Sequence, residues 1–407
     1  MKTKTVFATA LIVGLSILHL PRAFGQGDLT PPPGPPTPTM KTLDQIEARI
    51  IVNATNTPGD AANTFIISAP GSYYFTGNIT GESGKHGISI QTNDVTLDLN
   101  GFALISGGGG AFRGVNVPAA QSGFAIRNGT VRGWTDGGVR TDLTTATFAE
   151  KLRLSNNTGA TGLSLGNGSA KDCVASGNAT GFIVGNGAQI TDSAASGNTT
   201  GFVAGDRAQV SNCIATVNAG IGFNCTSYVT LIDCTSSRNG GNGIVVLASS
   251  SVIRCNSSRN IPLGGSGGGY GIVAGTGCTI ADCTAGSNTA DGISVDSGST
   301  IQNCTTTANV HGIRFTSNCH LTGNTSDGND RGIYTEGNGN RVDGNSCTAN
   351  ASSGFLINGA NNLVVRNSAH GNLANFNITT SSAAGPIVNM TAGGTIATTN
   401  PWANFSY

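Results

Sequence analysis

Asp291, His311 and Arg331 follow one another at intervals of 20 residues, and Ser294, Arg314 and Tyr334 do the same three positions further on. Asp330 stands beside Arg331. Asp296, Thr316, Glu336 and Asn358 make a third series, two residues beyond Ser294, Arg314, Tyr334 and Leu356. In a chain of which only 10% is charged, this is a concentration of the residue types that bind and transform sugars. A ring such as Tyr334 can stack on a pyranose, and Arg314 or Arg331 can pair with a uronate carboxylate. For proton abstraction beside that carboxylate, His311 or Tyr334 is the candidate base, with an arginine stabilising the enolate-like charge. Asp296 and Glu336 suit a different reaction. Two stacked strands apart, they stand roughly 10 Å from each other. An inverting hydrolysis needs an acid and a base about 6.5–9.5 Å apart, to admit a water. Arg314, between them, would keep one ionised. Asp291, Asp330, Arg331 and Asn358 are the accompanying ligand-binding candidates. No cofactor is expected: the acidic residues leave calcium open without a motif that calls for it, and no Cys–His cluster has zinc spacing.

These residues can meet only if the chain repeats. The segment Lys171-Asp172-Cys173 leading to Asn178 returns as Ser211-Asn212-Cys213 to Asn218, Ile232-Asp233-Cys234 to Asn239 and Ala281-Asp282-Cys283 to Asn288. The closing asparagines form a series: Asn157, Asn178, Asn198, Asn218, Asn239, Asn260, Asn288, Asn309, Asn329, Asn350 and Asn372. Every interval is 20 to 22 residues except one of 28. A glycine and an apolar residue follow all but the last, as in Gly181-Phe182 and Gly292-Ile293, and alternation then sets Phe182 and Val184 inward with Ile183 outward, the period of a strand. A second inward position holds Ile190, Val210, Leu231, Val252, Ile280, Ile301, Leu321, Val342 and Val364. The pattern of leucine-rich repeats is absent. Such a period predicts an all-β fold, a right-handed parallel β-helix, with about 21 residues per coil, capped at its ends. On consecutive coils the candidate residues then share one face, continued by an apolar stripe of Ile183, Val203, Val245 and Val273.

The asparagines read as a structural ladder. Their residue type tolerates the left-handed backbone of a sharp corner, and each amide can bond to its neighbour one coil away. Six of the ten cysteines share one repeat position, where Leu152 and Ser193 substitute, and the other four align with inward residues. Stacked at one position their side chains run parallel, so the reading is free, buried thiols acting as small hydrophobes.

At the N-terminus a basic start, the apolar run Thr5 to Leu20 and Ala23-Phe24-Gly25 predict a signal peptide over 1–25, leaving no transmembrane segment after cleavage. A Pro-rich linker spans 26–41. Thr42 to Ile51 matches a capping box and a short amphipathic helix, within a capping region over 42–59. The β-helix is expected over 60–385, with Val95 to Gly101 as its first strong strand, irregular coils over 79–139 and a folded cap over 386–407. The 28-residue interval adds a loop around Pro262 to Gly269, which projects from a corner and either borders a binding face, as such insertions often do, or is a neutral excursion. Sixty-one glycines without a collagen period fit a fold of many tight turns, and zero net charge without a basic stripe excludes nucleic acid as a partner.

The repeats around Asp282-Cys283 and Gly292-Ile293-Ser294-Val295, with Pro70-Gly71-Ser72-Tyr73-Tyr74 and Asp94 to Gly101, resemble the pectate-lyase-like and NosD-like secreted bacterial β-helix proteins. That resemblance implies a fold shared by polysaccharide lyases, hydrolases, epimerases, tailspikes and adhesins. In pectate lyases it implies aspartates holding calcium beside a basic residue, yet this chain has no dense row of aspartates. In NosD-like proteins it implies copper-site maturation, while methionine numbers three here and the cysteines read as buried. The expectation is a secreted, periplasmic or cell-surface protein that binds or processes an extracellular polysaccharide or cell-surface glycan. A non-catalytic structural or adhesive solenoid, and an inverting hydrolase or uronan lyase or epimerase, are the alternatives. No feature specifies an oligomer.

Overall fold

A computed structural model describes residues 48–118, 121–141, 147–262, 268–393 and 395–407. Each regular coil winds through three short strands, as in Ile293–Val295, Thr300–Gln302 and Thr305–Thr307. Each strand pairs in parallel with its counterparts in the coils before and after it. Among the described residues the first strands of all coils make one 15-stranded sheet, and the second and third strands make a 30-stranded one. The solenoid of about 21 residues per coil is therefore present, with one strand per coil more than the two inward columns suggested.

Alternation places the core. Phe182, Phe202 and Phe223 stack along the first sheet with ring centroids 4.9 and 4.7 Å apart, the spacing of neighbouring strands. Ile244, Ile272, Ile293, Ile313 and Ile333 continue that column, all fully buried. The second-strand column from Ile190 to Val364 is equally buried. Each such side chain contributes about 1.5–3 kcal/mol through its removal from water. All ten cysteines are buried and unbridged. Burial pushes the Cys173 thiol up to about 11, and the cysteines, buried and unbridged, serve as small packing groups.

The corners hold the coils in register. From Asn157 to Asn372 each ladder amide donates from Nδ2 to Oδ1 of the next asparagine, at 2.8–3.1 Å. The same Oδ1 also accepts the preceding ladder residue's backbone N–H. One part of the sequence reading is corrected here. The left-handed backbone falls on the residue before each ladder asparagine, for example Gly177 (φ 66°), Arg238 (φ 54°) and Arg259 (φ 56°). The asparagine follows the bend, so that its amide enters the interior and replaces the strand hydrogen bonds the corner breaks.

The other corners work alike. Cys234 N–H donates to Cys255 Sγ and Cys173 N–H to Ser193 Oγ. The cysteine column then becomes a second asparagine ladder, Cys304 to Asn324, Asn345, Asn367 and Asn404.

Three expectations near the N-terminus change. The described end of the expected helix, Ile50–Ile51, is a strand paired with Tyr73 and Tyr74, because two apolar residues gain more by extending the sheet edge than by ending an unsupported helix. Most of that helix, with the signal peptide and the linker, lies outside the described residues. Val95–Asp98 is preceded by three longer or equal strands, Asn63–Ile67, Gly71–Tyr74 and His86–Ile90. The coils over 79–139 differ in length but stack in register with the rest, through Ile88, Val115 and Val139. Fully buried Trp134 fills them, and a Cβ on Gly81 would stand 2.7 Å from its ring. Of the extra loop, 263–267 lies outside the described residues. At the other end Asn404–Ser406 pairs with Ser368–His370 and closes the second ladder.

Candidate functional site

The first sheet of the solenoid carries the candidate residues on its outer side, in the register expected. His311 pairs with Arg331 across neighbouring coils, and Ser294, Arg314, Tyr334 and Leu356 form one row. Asp291, just before its strand, is buried, and its Oδ1 lies 2.5 Å from His311 Nδ1. Arg314 Nη1 stands 4.0 Å from Asp291 Oδ2. His311 Nε2 is 3.2 Å from Arg331 Nη1, so the imidazole lies between a carboxylate and a guanidinium. Arg331 also caps the Tyr334 ring at 5.1 Å, and the His311 ring stacks on Tyr334 at 4.8 Å. The chain of contacts ends where the Tyr334 hydroxyl donates to Glu336 Oε1. Burial, then the bond to Glu336 and its charge, raises the Tyr334 pKa, so the phenol keeps its proton.

Two expectations are revised by this packing. Tyr334 was to offer its face to a sugar, but it is only 8% exposed, because His311 and Arg331 cover its ring. Arg331 is expected to meet a ligand carboxylate, but its Nη1 is turned to His311 and its guanidinium lies over Tyr334, with Asp330 at 4.0 Å and the buried Nε left without a hydrogen-bond partner. Arg314 remains half-exposed and, with Thr316, Tyr334 and Glu336, lines a pocket of about 230 Å³. Asp296 and Asn358 are exposed and lie outside that lining. Asp296, Thr316 and Glu336 keep their order on the outer side, with Thr316 Oγ1 held by Ser297 Oγ at 3.0 Å. The apolar stripe is real but interrupted, since Asn224 stands between Val203 and Val245.

Sequence analysis singles out this group alone. The structure assembles a second on the same sheet: His86, Arg113, Asn116, Asp136 and Arg140. Arg113 Nε is 2.8 Å from Asp136 Oδ2 and its Nη1 is 2.8 Å from Asn116 Oδ1. The signal that could have found it, a histidine and an arginine one coil apart, was hidden by the unequal coil lengths. A larger groove of about 700 Å³ runs along the ladder corner past Val217, Arg238, Arg259 and Ile261, and it reaches the base of the extra loop. Among the described residues no group of three or more His, Cys, Asp or Glu side chains is arranged to hold a metal ion. No helix among them is long and apolar enough to cross a membrane.

Residues 183–329 match a family model described as the right handed beta helix region. No curated protein matches the sequence. Among solved structures the chain is similar to pectate lyase Pel9A, at 17% identity over 60% of this chain and 71% of that one, with a TM-score of 0.43. It is also similar to the A-module of Azotobacter vinelandii mannuronan C-5 epimerase AlgE4, at 13% identity over 78% and 91%, with a TM-score of 0.42. A third is the Dettilon tailspike protein, at 13% identity over 82% and 61%, with a TM-score of 0.33. Its parallel three-strand coils, its ladders and the matched segment make the fold of this chain a right-handed parallel β-helix.

Proposed function

We propose that this is a secreted or cell-surface β-helix protein that binds an extracellular polysaccharide along the outer side of its first sheet. Arg314, Glu336 and the edge of Tyr334 hold the sugar hydroxyls. The observation that carries the reading is that the two groups best suited to proton transfer on this face, His311 and Tyr334, are already engaged by their neighbours. Both His311 ring nitrogens are engaged, by Asp291 and by Arg331, and the Tyr334 hydroxyl is committed to Glu336. Groups fixed in advance lose little entropy when a ligand arrives, which favours binding. The same contacts leave His311 no free ring lone pair and keep Tyr334 a protonated phenol, while proton abstraction needs a free base. Asp291, Asp296, Asp330 and Glu336 outnumber Arg314 and Arg331, so a ligand read through its hydroxyls fits better than one read through negative charge.

The test is a panel of neutral and uronic-acid polysaccharides, scored for retention on the protein and for release of new chain ends. Retention of a neutral polysaccharide without turnover is expected. Arg314→Ala or Glu336→Gln should weaken it tenfold or more, about 1.4 kcal/mol. Release of products would replace binding by catalysis, and failure of any polysaccharide to be retained would leave a structural solenoid.

A further inference from the structure

The first sheet ends on an open edge. Its last strand, Ala374–Ile378, pairs with Ser353–Ile357 on one side, and among the described residues no strand follows it on the other. The backbone groups this leaves over follow from the earlier coils. In the column that Phe376 continues, Phe202, Phe223, Ile244 and Ile272 each donate their N–H to a carbonyl of the next coil, at 2.8–2.9 Å. Two residues further on, the carbonyls of Thr335 and Ile357 each accept an N–H from the next coil, at 3.0 Å. Phe376 and Ile378 hold these two positions in the last strand, where no further coil meets them. The N–H and C=O of one residue face the same neighbour in a parallel ladder, so both residues present a donor and an acceptor at the edge.

Their side chains are left unfinished in the same way. Phe355 and Ile357 are fully buried, whereas Phe376, stacked on Phe355 at 5.0 Å, and Ile378 are only half-buried. Leu373, just before the strand, is 85% exposed. Soluble proteins guard such an edge with charge, proline, a bulge or a covering segment. Here no charged side chain occurs from Gly371 to Tyr407, and the strand holds no proline. The opposite edge of the same sheet is guarded. Beside Asn63–Ile67, the Thr57 carbonyl accepts the Ile66 N–H at 3.4 Å, and Pro58 bridges Phe65 in antiparallel fashion.

The strand is its own complement. Turned about an axis through Asn377 perpendicular to the sheet, a second copy runs antiparallel to the first and sets Phe376 of each opposite Ile378 of the other. Each such pair exchanges both of its N–H···O=C bonds, so the edge groups of the two residues are all met. Their side chains stay on the core side and complete its burial. Asn377, exposed on the outer side, faces Asn377 of the second copy. A charged partner strand would find no opposite charge here, while the same uncharged strand matches group for group. We propose that two copies of this chain join end to end through Ala374–Ile378, so that their first sheets become one. The axis relates the same patch on both copies, so the contact closes at a dimer.

The test is sedimentation of the full chain over a range of concentrations. A concentration-dependent dimer is expected. Asn377→Lys and Asn377→Asp should each weaken it roughly tenfold or more, because the axis sets like charges directly opposite, about 4.5 Å apart between Cα atoms. Mixed in equal amounts, the two variants should pair again, with opposite charges now facing. The residue points outward, so each variant keeps the fold, and recovery in the mixture demonstrates it. A chain that stays monomeric at every concentration overturns the proposal, as does a dimer indifferent to either charge. A mixture no more dimeric than its components overturns it too. Growth into longer assemblies would mean a head-to-tail contact in place of the two-fold one.

Discussion

Asn239 shows what one ladder residue does. Its Nδ2 donates to the carbonyl of Ala215 at 3.1 Å, to Ser236 Oγ at 3.0 Å and to Asn260 Oδ1 at 3.1 Å. Its Oδ1 accepts both the backbone N–H and the side-chain amide of Asn218. All of these groups are buried, so none can turn to water when the amide is removed. Asn239→Ala should therefore cost about 1–3 kcal/mol, the desolvation penalty of stranded partners. A urea midpoint equal to that of the unsubstituted protein would contradict it. At the ladder's end Asn372 is half-buried and Asn375 takes up its amide, so the same change there should cost less.

The corner between the second and third strands is filled by two chemistries in one column. From Cys173 to Cys304 it is thiol and hydroxyl, and from Asn324 to Asn404 it is amide. The two meet at Cys304, whose N–H donates to Asn324 Oδ1 at 2.9 Å and whose Sγ lies 3.6 Å from the carbonyl of Ile280. Asn324 places Nδ2 2.9 Å from the carbonyl of Ile301, the register partner of Ile280. An asparagine at 304 would find the same two acceptors, Ile280 O and Asn324 Oδ1. Cys304→Asn is expected to extend the ladder by one rung and raise stability by about 0.5–1.5 kcal/mol, the net gain of a buried hydrogen bond. A lower denaturation midpoint would show that the column accepts amides only where it already has them.

As a whole the molecule is a stack in which each coil touches its neighbours, so its stability is a sum of local interfaces. One of them links its last coils through charge. Asp343 accepts from Arg366 Nε at 2.7 Å and from Arg341 Nη2 at 2.7 Å, and the Arg366 guanidinium lies 5.5 Å from the Trp402 ring. The hydrogen bond from Arg366, and then that from Arg341, holds the Asp343 pKa below the usual carboxylate range, although burial opposes them. A carboxylate whose folded pKa is depressed adds stability above its unfolded value and loses it as pH falls through the folded one. The stability difference between the native protein and Asp343→Asn should accordingly be largest above about pH 4, near the unfolded aspartate value, and shrink in stronger acid. A difference that stays constant down to pH 2 would mean that the carboxylate charge contributes nothing there.

The coil period, the inward columns, the asparagine ladder and the buried cysteines were legible in the residues, because every coil meets the same packing constraint and repeats its answer. The register of Asp291, His311, Arg314, Tyr334 and Glu336 was legible for the same reason: their coils are 20 residues apart. What the sequence could not decide was how those side chains spend their polar atoms. Covering the Tyr334 ring depends on torsions of His311 and Arg331 that no spacing specifies. The placing of the left-handed bend on the residue before the asparagine depends on where the amide must enter the core. The change of the second corner column from cysteine to asparagine was hidden because Sγ, Oγ and Oδ1 accept the same N–H from different residue types. The pairing of His86 with Arg113 was hidden because the coils from Ile88 to Val115 and Val139 are longer than the repeat, so only stacking in three dimensions brings them into line.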